Sequence, residues 1–329
     1  MSRDNQSNAP VALTPSGSGI LHFFNKRFIF FSISILIMIA GLINLAISGV
    51  QLDIQFKGGA LLKYTYTGDL NADDAADVAT EILGRPVSAQ ITEDLASKEK
   101  RLILNIAGNY GVDASEQVNF DNALKEKFAD NKLNLSESQM VEPFFGRKFL
   151  TNGIIAIALS FSLVMVYVWI RFSKIGGLSA GVMALVALLH DVLVVFFTCV
   201  IFKIPIGDSF VAVTLSIIGY SVNDTIVIYD RIRENHDLHP KLPVETLTDL
   251  SISQSITRSL NTNIAVFLSV SLVFIMAKAN SIDSIQSFAL PMAIGAVSGC
   301  YSTICIAGPL WVMWQKRKEK KDPKKLANA

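Results

Sequence analysis

Six long stretches of mostly apolar residues recur along the chain, and they constrain its fold more than any other feature. A helix needs about 20 such residues to cross a hydrocarbon layer about 30 Å thick. The stretches lie at 28–48, 150–170, 178–201, 209–229, 257–277 and 288–313. Composition agrees, since 51% of the residues are hydrophobic and 17% are charged, against about 25% charged in soluble domains. The sequence therefore predicts an α-helical membrane protein with a six-helix transmembrane bundle.

The first stretch also has features of a secretory signal peptide. A basic pair precedes it, and Ala46-Ile47-Ser48 at its end resembles a cleavage site. The apolar core of a signal peptide spans about 7–15 residues, and this stretch is longer. We therefore expect a retained membrane anchor at 28–48.

Basic residues collect at alternate ends of the six stretches. They are Lys26, Arg27, Arg171, Lys174, Arg231, Arg233, Lys241 and seven Lys or Arg residues between 316 and 325. The opposite short loops carry Lys203 and Lys278. Because cytoplasmic loops are enriched in Lys and Arg, this pattern predicts that both termini are cytoplasmic. The predicted divisions are an N-terminal segment 1–27, the span 28–48, an outside domain 49–149, five spans within 150–314 and a basic tail 315–329.

The segment between the first two stretches has the pattern of a soluble α+β domain. Alternating residues predict strands at 60–66, 87–92, 101–106 and 139–144. Asn71 is placed to cap a first helix, and a second helix is predicted at 113–129 with Val118, Leu124 and Phe128 as its apolar stripe. The resulting β-α-β-β-α-β order is that of a ferredoxin-like domain.

Ionisable and amide side chains fall inside three of the predicted spans. Asn223 and Asp224 lie in the fourth, and His190 and Asp191 lie near the middle of the third. The uninterrupted apolar run of the fifth, 264–277, is too short to cross alone, so the span must begin earlier and include Arg258. A charge in hydrocarbon must pair, become neutral or face water. We therefore predict that Asp224 and Arg258, at similar depths, form a proton relay supported by His190, Asp191 and Asn223.

Structural roles for the same residues remain open. Arg258 could extend to lipid phosphates, and Asp224 could be a permanently neutral hydrogen-bonding group. His190 and Asp191 could form a local polar bridge between helices. A proton path is favoured for Asp224 because three polar sites on three spans are hard to explain independently.

Motifs of catalysis and cofactor binding are absent from the sequence. There is no phosphate-binding loop, no dinucleotide fingerprint and no His, Cys or carboxylate cluster with metal-ligand spacing. We expect no enzymatic activity, no cofactor, no metal and no nucleic-acid partner. Two glycine pairs, Gly177 with Gly181 and Gly295 with Gly299, have the spacing that allows close helix packing.

The fourth span carries the most specific motif, Ile218-Gly-Tyr-Ser-Val-Asn-Asp-Thr-Ile-Val-Ile-Tyr-Asp-Arg-Ile-Arg-Glu-Asn235. Together with Leu189-His-Asp191 and the segment 253–262, it resembles the SecF members of the SecD/SecF protein-export family, in the resistance-nodulation-division superfamily. The resemblance covers about 23–315. One position departs from the family pattern, since Gln55 stands where these proteins usually have Asp.

The resemblance implies a subunit of the Sec accessory complex in the bacterial inner membrane, with its outside domain in the periplasm. The implied partners are SecD, the SecYEG channel, the SecA motor indirectly, a YajC-type small membrane subunit, preprotein clients and the lipid bilayer. Asp224 and Arg258 match the family's membrane acid and arginine, which use the proton-motive force to assist translocation. An alternative is a stand-alone proton-coupled exporter of lipids or small molecules. A third is a scaffold whose intramembrane charges only fix helix packing.

Overall fold

The computed structural model describes residues 21–93, 99–107, 114–141, 143–280 and 282–321. Most of the predicted N-terminal segment 1–27 and part of the predicted tail 315–329 lie outside these residues. The helices and strands are α1 (Arg27–Ser48), α2 (Ile54–Lys57), β1 (Gly59–Tyr66), α3 (Ala72–Leu83), β2 (Val87–Glu93), β3 (Lys100–Ala107), α4 (Ala114–Lys127), β4 (Asn134–Val141), α5 (Pro143–Arg171), α6 (Gly177–Ile201), α7 (Asp208–Leu238), α8 (Val244–Ala279), α9 (Asp283–Ser302) and α10 (Gly308–Lys321).

Six of the described helical stretches are long and apolar enough to cross a membrane. They are α1, α5, α6, α7, α8 and the combination of α9 with α10. The last two helices are joined by one π-helical segment, Thr303–Ala307, so the sixth stretch is continuous but irregular. The predicted fold class, a six-helix bundle with a small α+β domain, is confirmed.

The six spans form an inner and an outer group. In the inner group, α6, α7 and the α9–α10 span have 56%, 50% and 67% of their most apolar windows buried inside the protein. In the outer group, α1, α5 and α8 have 11%, 6% and 11% buried. The inner helices contain many small and hydroxyl residues, which allow close backbone contact. The outer helices cover them with an apolar surface.

Both glycine pairs lie at helix contacts, as predicted. A Cβ added at Gly295 would lie 2.7 Å from Ile217 Cδ1 and 2.8 Å from Val195 Cγ2. A Cβ at Gly299 would meet the Ser221 side chain at 3.2 Å, and one at Gly181 would meet Met165 Sδ at 2.8 Å. Gly295 and Gly299 thus let inner helices approach one another, and Gly181 lets α6 approach α5.

Three helices extend further than the apolar runs indicate. α5 begins at Pro143 rather than 150, α7 ends at Leu238 rather than 229, and α8 begins at Val244 rather than 257. The 36 residues of α8, at about 1.5 Å per residue, give about 54 Å, which exceeds a hydrocarbon layer of about 30 Å. Tertiary packing explains the difference, since the added turns of α8 bury Leu247 and Ile252 against the rest of the protein.

The α+β domain contains a four-stranded antiparallel sheet in the order β2-β3-β1-β4. Burial alternates along β1, and its buried Leu62 and Tyr64 pair with the buried Leu104 and Leu102 of β3. Asn71 caps α3 by accepting a hydrogen bond from the Asp73 amide, and Gly84 ends that helix in the left-handed region. This is the predicted ferredoxin-like arrangement.

Two local predictions in this domain are wrong. The last strand runs over Asn134–Val141 and not over 139–144, because Pro143 begins α5 directly after it. Val118 is 58% exposed, whereas Phe120 and Leu124 are buried. Leu124 and Phe128, the other two residues of the predicted stripe, do pack in the core of the domain. Periodicity therefore identified the helix and its buried face but included Val118 in place of Phe120.

The domain is joined to the bundle by backbone hydrogen bonds. The Asp53 amide donates to the Ile206 carbonyl at 3.0 Å, and the Ile206 amide donates to the Gln51 carbonyl at 2.8 Å. These bonds connect the chain after α1 to the loop between α6 and α7. We call the end of the bundle that carries the sheet the sheet side, and the opposite end, where α1 begins and α10 ends, the terminal side.

Candidate functional site

Polar side chains from four spans meet within the bundle. We define the polar layer as Asp191 of α6, Ser221 and Asp224 of α7, Ser259 of α8, and Ser298 and Ser302 of α9. The exposed fractions of these six residues are 8% or less. In hydrocarbon such groups must find partners within the protein, because no water compensates them.

Asp191 is fully buried, and hydroxyl donors saturate its carboxylate. Ser298 Oγ donates to Oδ1 at 2.7 Å, while Ser221 Oγ and Ser302 Oγ donate to Oδ2 at 2.8 and 2.7 Å. His190 Nδ1 lies 3.3 Å from Oδ1. A carboxylate bound by three hydroxyls from two neighbouring helices is well stabilised without an ion pair. Asp191 therefore joins the three inner spans.

Asp224 has a different environment, although it is also buried. Its Oδ1 accepts a short hydrogen bond from Ser259 Oγ of α8. Its Oδ2 has no hydrogen-bond partner among the described residues. The Asn263 amide, one turn beyond Ser259, donates to the Ser259 carbonyl at 2.8 Å and helps hold this part of α8. Asp224 is thus a partly satisfied carboxyl group at the contact of an inner helix with an outer helix.

Arg258 does not form the expected pair with Asp224. Its side chain is exposed on the outer surface of the chain, and no ion pair joins the two residues. The guanidinium is still close enough for Coulombic attraction to the carboxyl group. Because Ser259 follows Arg258 directly, the helix turns Ser259 inward and Arg258 outward. Asn223 is likewise exposed, beside the buried Asp224.

His190 occupies the inner face of α6 with a mostly buried ring. Its Nε2 has no hydrogen-bond partner among the described residues, and its ring centroid lies 6.1 Å from that of Tyr301. Tyr301 Oη donates to the Phe30 carbonyl of α1 at 2.6 Å. His190 therefore lies between the Asp191 cluster and the contact of the sixth span with α1.

Serine residues are the part of the site that sequence reasoning missed. Ser221, Ser259, Ser298 and Ser302 supply the donors to both carboxylates. A detectable signal existed for one pair, because Ser298 and Ser302 are four residues apart and share one helix face. A serine in an apolar stretch usually bonds to its own helix, so only the structure shows which ones bond across helices.

A second polar cluster lies at the sheet side, around Gln55. With its amide oriented to satisfy its neighbours, Gln55 donates to Asp208 Oδ1 at 2.8 Å. Asp53 Oδ1 accepts from the Gln55 backbone amide at 2.9 Å. Burial, and secondarily repulsion from Asp208, raise the pKa of Asp53. Gln55 therefore joins the base of the sheet domain to α7 without adding a third carboxylate.

No group of three or more His, Cys, Asp or Glu side chains within the described ranges could hold a metal ion. Cys199 and Cys305 are buried and Cys300 is half-buried, and all three are free thiols. Burial in apolar surroundings leaves such thiols as packing groups.

Comparison with known proteins identifies the family. The model for SecD/SecF protein export membrane proteins, C-terminal region, matches residues 120–317. The SecF protein translocase subunit of Petrotoga mobilis is 31% identical over 304 residues, which cover 91% of this chain and 98% of the relative. The Synechocystis SecF subunit is 30% identical, with 88% and 93% covered. The Brucella abortus SecDF protein is 31% identical over 89% of this chain and 37% of its own.

Solved structures agree with these relatives. A crystal structure of a Thermus SecDF, described as a translocon-associated membrane protein, has a TM-score of 0.76 and 25% identity. The match covers 91% of this chain and 39% of the solved chain. A SecDF structure in a super-membrane-facing form has a TM-score of 0.64 at 22% identity and supports the fold. The chain is a multi-pass membrane protein that belongs to the SecF branch of the SecD/SecF protein-export family.

Proposed function

We propose that this chain is an accessory subunit of bacterial protein export that uses the proton-motive force to assist preprotein translocation across the inner membrane. Relatives of the same length are named protein translocase subunits, which supports the export role. In this proposal Asp224 takes up and releases the proton. The chain works with a SecD-type partner beside the SecYEG channel and the SecA motor, and a YajC-type subunit completes the complex.

The contrast between the two buried carboxyl groups is the observation that carries the proposal. Both oxygens of Asp191 accept hydrogen bonds from serine hydroxyls. Asp224 has a donor on one oxygen and no partner on the other among the described residues. An ionised carboxyl group in a bilayer costs from about 3 to more than 10 kcal/mol unless it is compensated. The two protonation states of Asp224 therefore favour different surroundings.

A proton on Asp224 changes the contact between α7 and α8. The Asp224 carboxylate accepts a charge-assisted hydrogen bond from Ser259, and protonation weakens that bond. One charge crossing about 100 mV supplies about 2.3 kcal/mol, which is enough to bias two arrangements of a packed helix pair. We propose that this bias moves the helices and, through the base of the sheet domain, the domain itself.

The exposed side chain of Arg258 supports an obligate partner. A guanidinium on the outer surface of a membrane helix is unfavourable against lipid, whereas an acidic residue of a neighbouring helix would stabilise it. Relatives named SecDF are longer chains in which this chain corresponds to 37% or 39% of the length. We propose that a SecD-type chain covers the surface around Arg258 and Asn223.

The proposed orientation follows the distribution of basic residues. Arg231 and Arg233 lie at the end of α7, and Lys316 pairs with Glu245 of α8 at the same terminal side. Lys203 and Lys278 flank the loops of the sheet side. Because Lys and Arg are enriched on the cytoplasmic side, we place the termini in the cytoplasm and the sheet domain in the periplasm.

Proton flux through reconstituted vesicles tests the role of Asp224. The chain and a SecD-type partner would be incorporated into liposomes containing a pH-sensitive dye, and a membrane potential would be imposed. We expect Asp224→Asn to reduce proton flux by about 100-fold, because a lost proton-transfer group typically costs this much. Asp208→Asn, an acid at the start of the same helix, is the matched control and should retain the flux. Equal flux in Asp224→Asn and wild type would reject the relay.

Isolation in mild detergent separates the proposed subunit from the alternatives. Co-isolation with a SecD-type chain, lost when Arg258 is replaced by Glu, supports the partner surface. An isolated homo-oligomer with small-molecule efflux activity would instead indicate a stand-alone exporter. Unchanged preprotein export in Asp224→Asn would leave only the scaffold role.

A further inference from the structure

The sixth span changes helical register within the bundle. α9 ends at Ser302, the next five residues form a π-helical turn, and α10 begins at Gly308. All five residues of this π segment, Thr303–Ala307, are buried. A π turn accommodates one residue more than an α turn and is uncommon, often marking functional positions. It persists only where the surrounding contacts stabilise it.

Two side-chain contacts hold the start of the π segment. Ser302 Oγ, at the last residue of α9, donates to Asp191 Oδ2 at 2.7 Å. Thr303 Oγ1, at the first residue of the segment, lies 3.1 Å from Thr225 Oγ1 of α7. Thr225 in turn donates to the Ser221 carbonyl at 3.0 Å. The transition from α to π register thus occurs where the sixth span bonds to α6 and α7.

Further contacts fix the position of Asp191 itself. Ser221 and Ser298 bond to its carboxylate, and Gly299 allows α9 to approach Ser221 closely. Because Ser221 lies on α7, the carboxylate is held by a helix other than α9 and would not simply follow Ser302 if the sixth span rotated. Ser302 also donates to the Gly299 carbonyl at 3.2 Å, so its hydroxyl has a partner within its own helix if it leaves Asp191.

We propose that Asp191 is a positioning residue that holds the sixth span in its π register through Ser302, and that release of Ser302 returns the span to continuous α-helix. Loss of one π turn removes about one residue, which rotates everything after it by about 100°. The rotation would move α10, whose Lys316 Nζ bonds to Glu245 of α8 at 2.7 Å and whose Gln315 bonds to the Ile175 carbonyl at 2.9 Å. A change of register in the π segment would thereby alter the contacts of α10 at the terminal side.

The same element is adjacent to the proposed proton site. Thr225, which contacts the first residue of the π segment, follows Asp224 directly. A shift of α7 that accompanies protonation of Asp224 would therefore displace Thr225 and Thr303. This connection rests on the proposed function, whereas the hold of Asp191 on the register does not.

The three native cysteines provide a direct test. Cys300 precedes the π segment by one turn and Cys305 lies within it, so two single-thiol backgrounds report on the helix before the segment and on the segment itself. In the first, Cys199 and Cys305 are replaced by Ser, and in the second, Cys199 and Cys300. Alkylation by membrane-permeant N-ethylmaleimide would be timed for the full chain in bilayers, with total thiol measured after denaturation.

We expect Ser302→Ala to raise the alkylation rate of Cys305 about tenfold and to leave that of Cys300 unchanged. Loss of one charge-assisted hydrogen bond is enough to change the population of the released register by about this factor. Asp191→Asn should act in the same direction, since its amide cannot accept from every hydroxyl. Ser298→Ala is the matched control. It also removes a hydrogen bond to the Asp191 carboxylate, but Ser298 lies in regular α-helix, a full turn before the π segment. It should leave both rates within about twofold of wild type.

Two results would overturn the proposal. In one, Cys305 keeps its wild-type rate in both Ser302→Ala and Asp191→Asn. In the other, Cys300 and Cys305 become reactive together, which indicates general loosening rather than a register change.

Asp224→Asn tests the connection to the proton site separately. If Asp224→Asn abolishes proton flux and leaves the alkylation rate of Cys305 unchanged, the link to the π segment is wrong and the proton relay is supported. If Ser302→Ala changes the alkylation rate of Cys305 but proton flux does not depend on Asp224, Asp191 controls the register independently of proton transfer.

Discussion

The inner and outer spans differ in what holds them in place. α6, α7 and the α9–α10 span are fixed by hydroxyl-to-carboxylate bonds and by glycine contacts, such as those at Asp191 and Gly295. α1, α5 and α8 present long apolar surfaces, with Leu163 and Leu268 each more than half exposed. Packing and polar bonds stabilise helix association in lipid, where apolar surface alone gives no preference for protein over lipid. The inner group therefore has more polar and close-packed contacts that fix its arrangement than the outer group has within the bundle.

Asp224 lies where the two groups meet. Its bond to Ser259 connects inner α7 to outer α8. Protonation of Asp224 would alter the one hydroxyl hydrogen bond that its carboxylate accepts, whereas the Asp191 carboxylate accepts three. The comparison supports the different roles proposed for these two buried aspartates on neighbouring spans.

Crowding the inner group should have the largest effect on stability. In Gly295→Leu the new side chain would collide with Ile217 and Val195, so we expect the free energy of unfolding to fall by about 3 kcal/mol or more. The control is Leu272→Ala on outer α8, where the side chain is 61% exposed and the change should be below about 0.5 kcal/mol. Unfolding in mixed detergent micelles measures both. Similar losses in the two variants would remove the distinction between inner and outer spans.

An intermediate effect is expected where the outer group is anchored at the terminal side. Asp249 of α8 is buried, and its Oδ1 accepts from the Phe24 amide at 3.0 Å. In Asp249→Ala this amide loses its partner, which costs about 1–3 kcal/mol locally. Hydrogen exchange of the Phe24 amide should therefore accelerate at least about tenfold. Asp249→Asn keeps an acceptor oxygen and should retain most of the protection. Fast exchange in both variants would indicate that charge, rather than hydrogen bonding, holds the segment.

The smallest effect concerns the junction of the sheet domain with the bundle. Because burial raises the pKa of Asp53, the folded protein binds this proton more tightly than the unfolded chain does. The free energy of unfolding should therefore fall as the pH rises from the ordinary pKa of about 4 through the raised one. Asp53→Asn should remove this part of the pH dependence and still cap α2.

Glu137 provides a comparison of opposite sign. A hydrogen bond from Lys63 lowers the pKa of Glu137, so its contribution is present at neutral pH and is lost as the pH falls through the lowered pKa. Thermal unfolding of the full chain between acid and neutral pH would measure Asp53→Asn and Glu137→Gln against wild type. If both variants changed the pH dependence of stability with the same sign, the opposite pKa shifts of Asp53 and Glu137 would be contradicted.

The sequence predicted the spans and the domain because these depend on local patterns. Apolar length located the six helices, and strand alternation with the Asn71 cap predicted the ferredoxin-like order. Partner choice within the bundle could not be predicted in this way. Arg258 and Ser259 are adjacent in sequence, and only the rotation of α8 decides which of them faces Asp224. The π segment at Thr303–Ala307 also left no periodic signal, because every residue of that stretch is buried.

Preprotein export with and without a membrane potential tests the role of Asp224 most directly. Export into inner-membrane vesicles would be timed for wild type, Asp224→Asn and Asp224→Glu, each before and after addition of an uncoupler. We predict that Asp224→Asn exports at the rate of uncoupled wild type and no longer responds to the uncoupler, while Asp224→Glu, which keeps a titratable carboxyl group, retains a response. An Asp224→Asn variant that exports at the full rate and still slows on uncoupling would contradict the account.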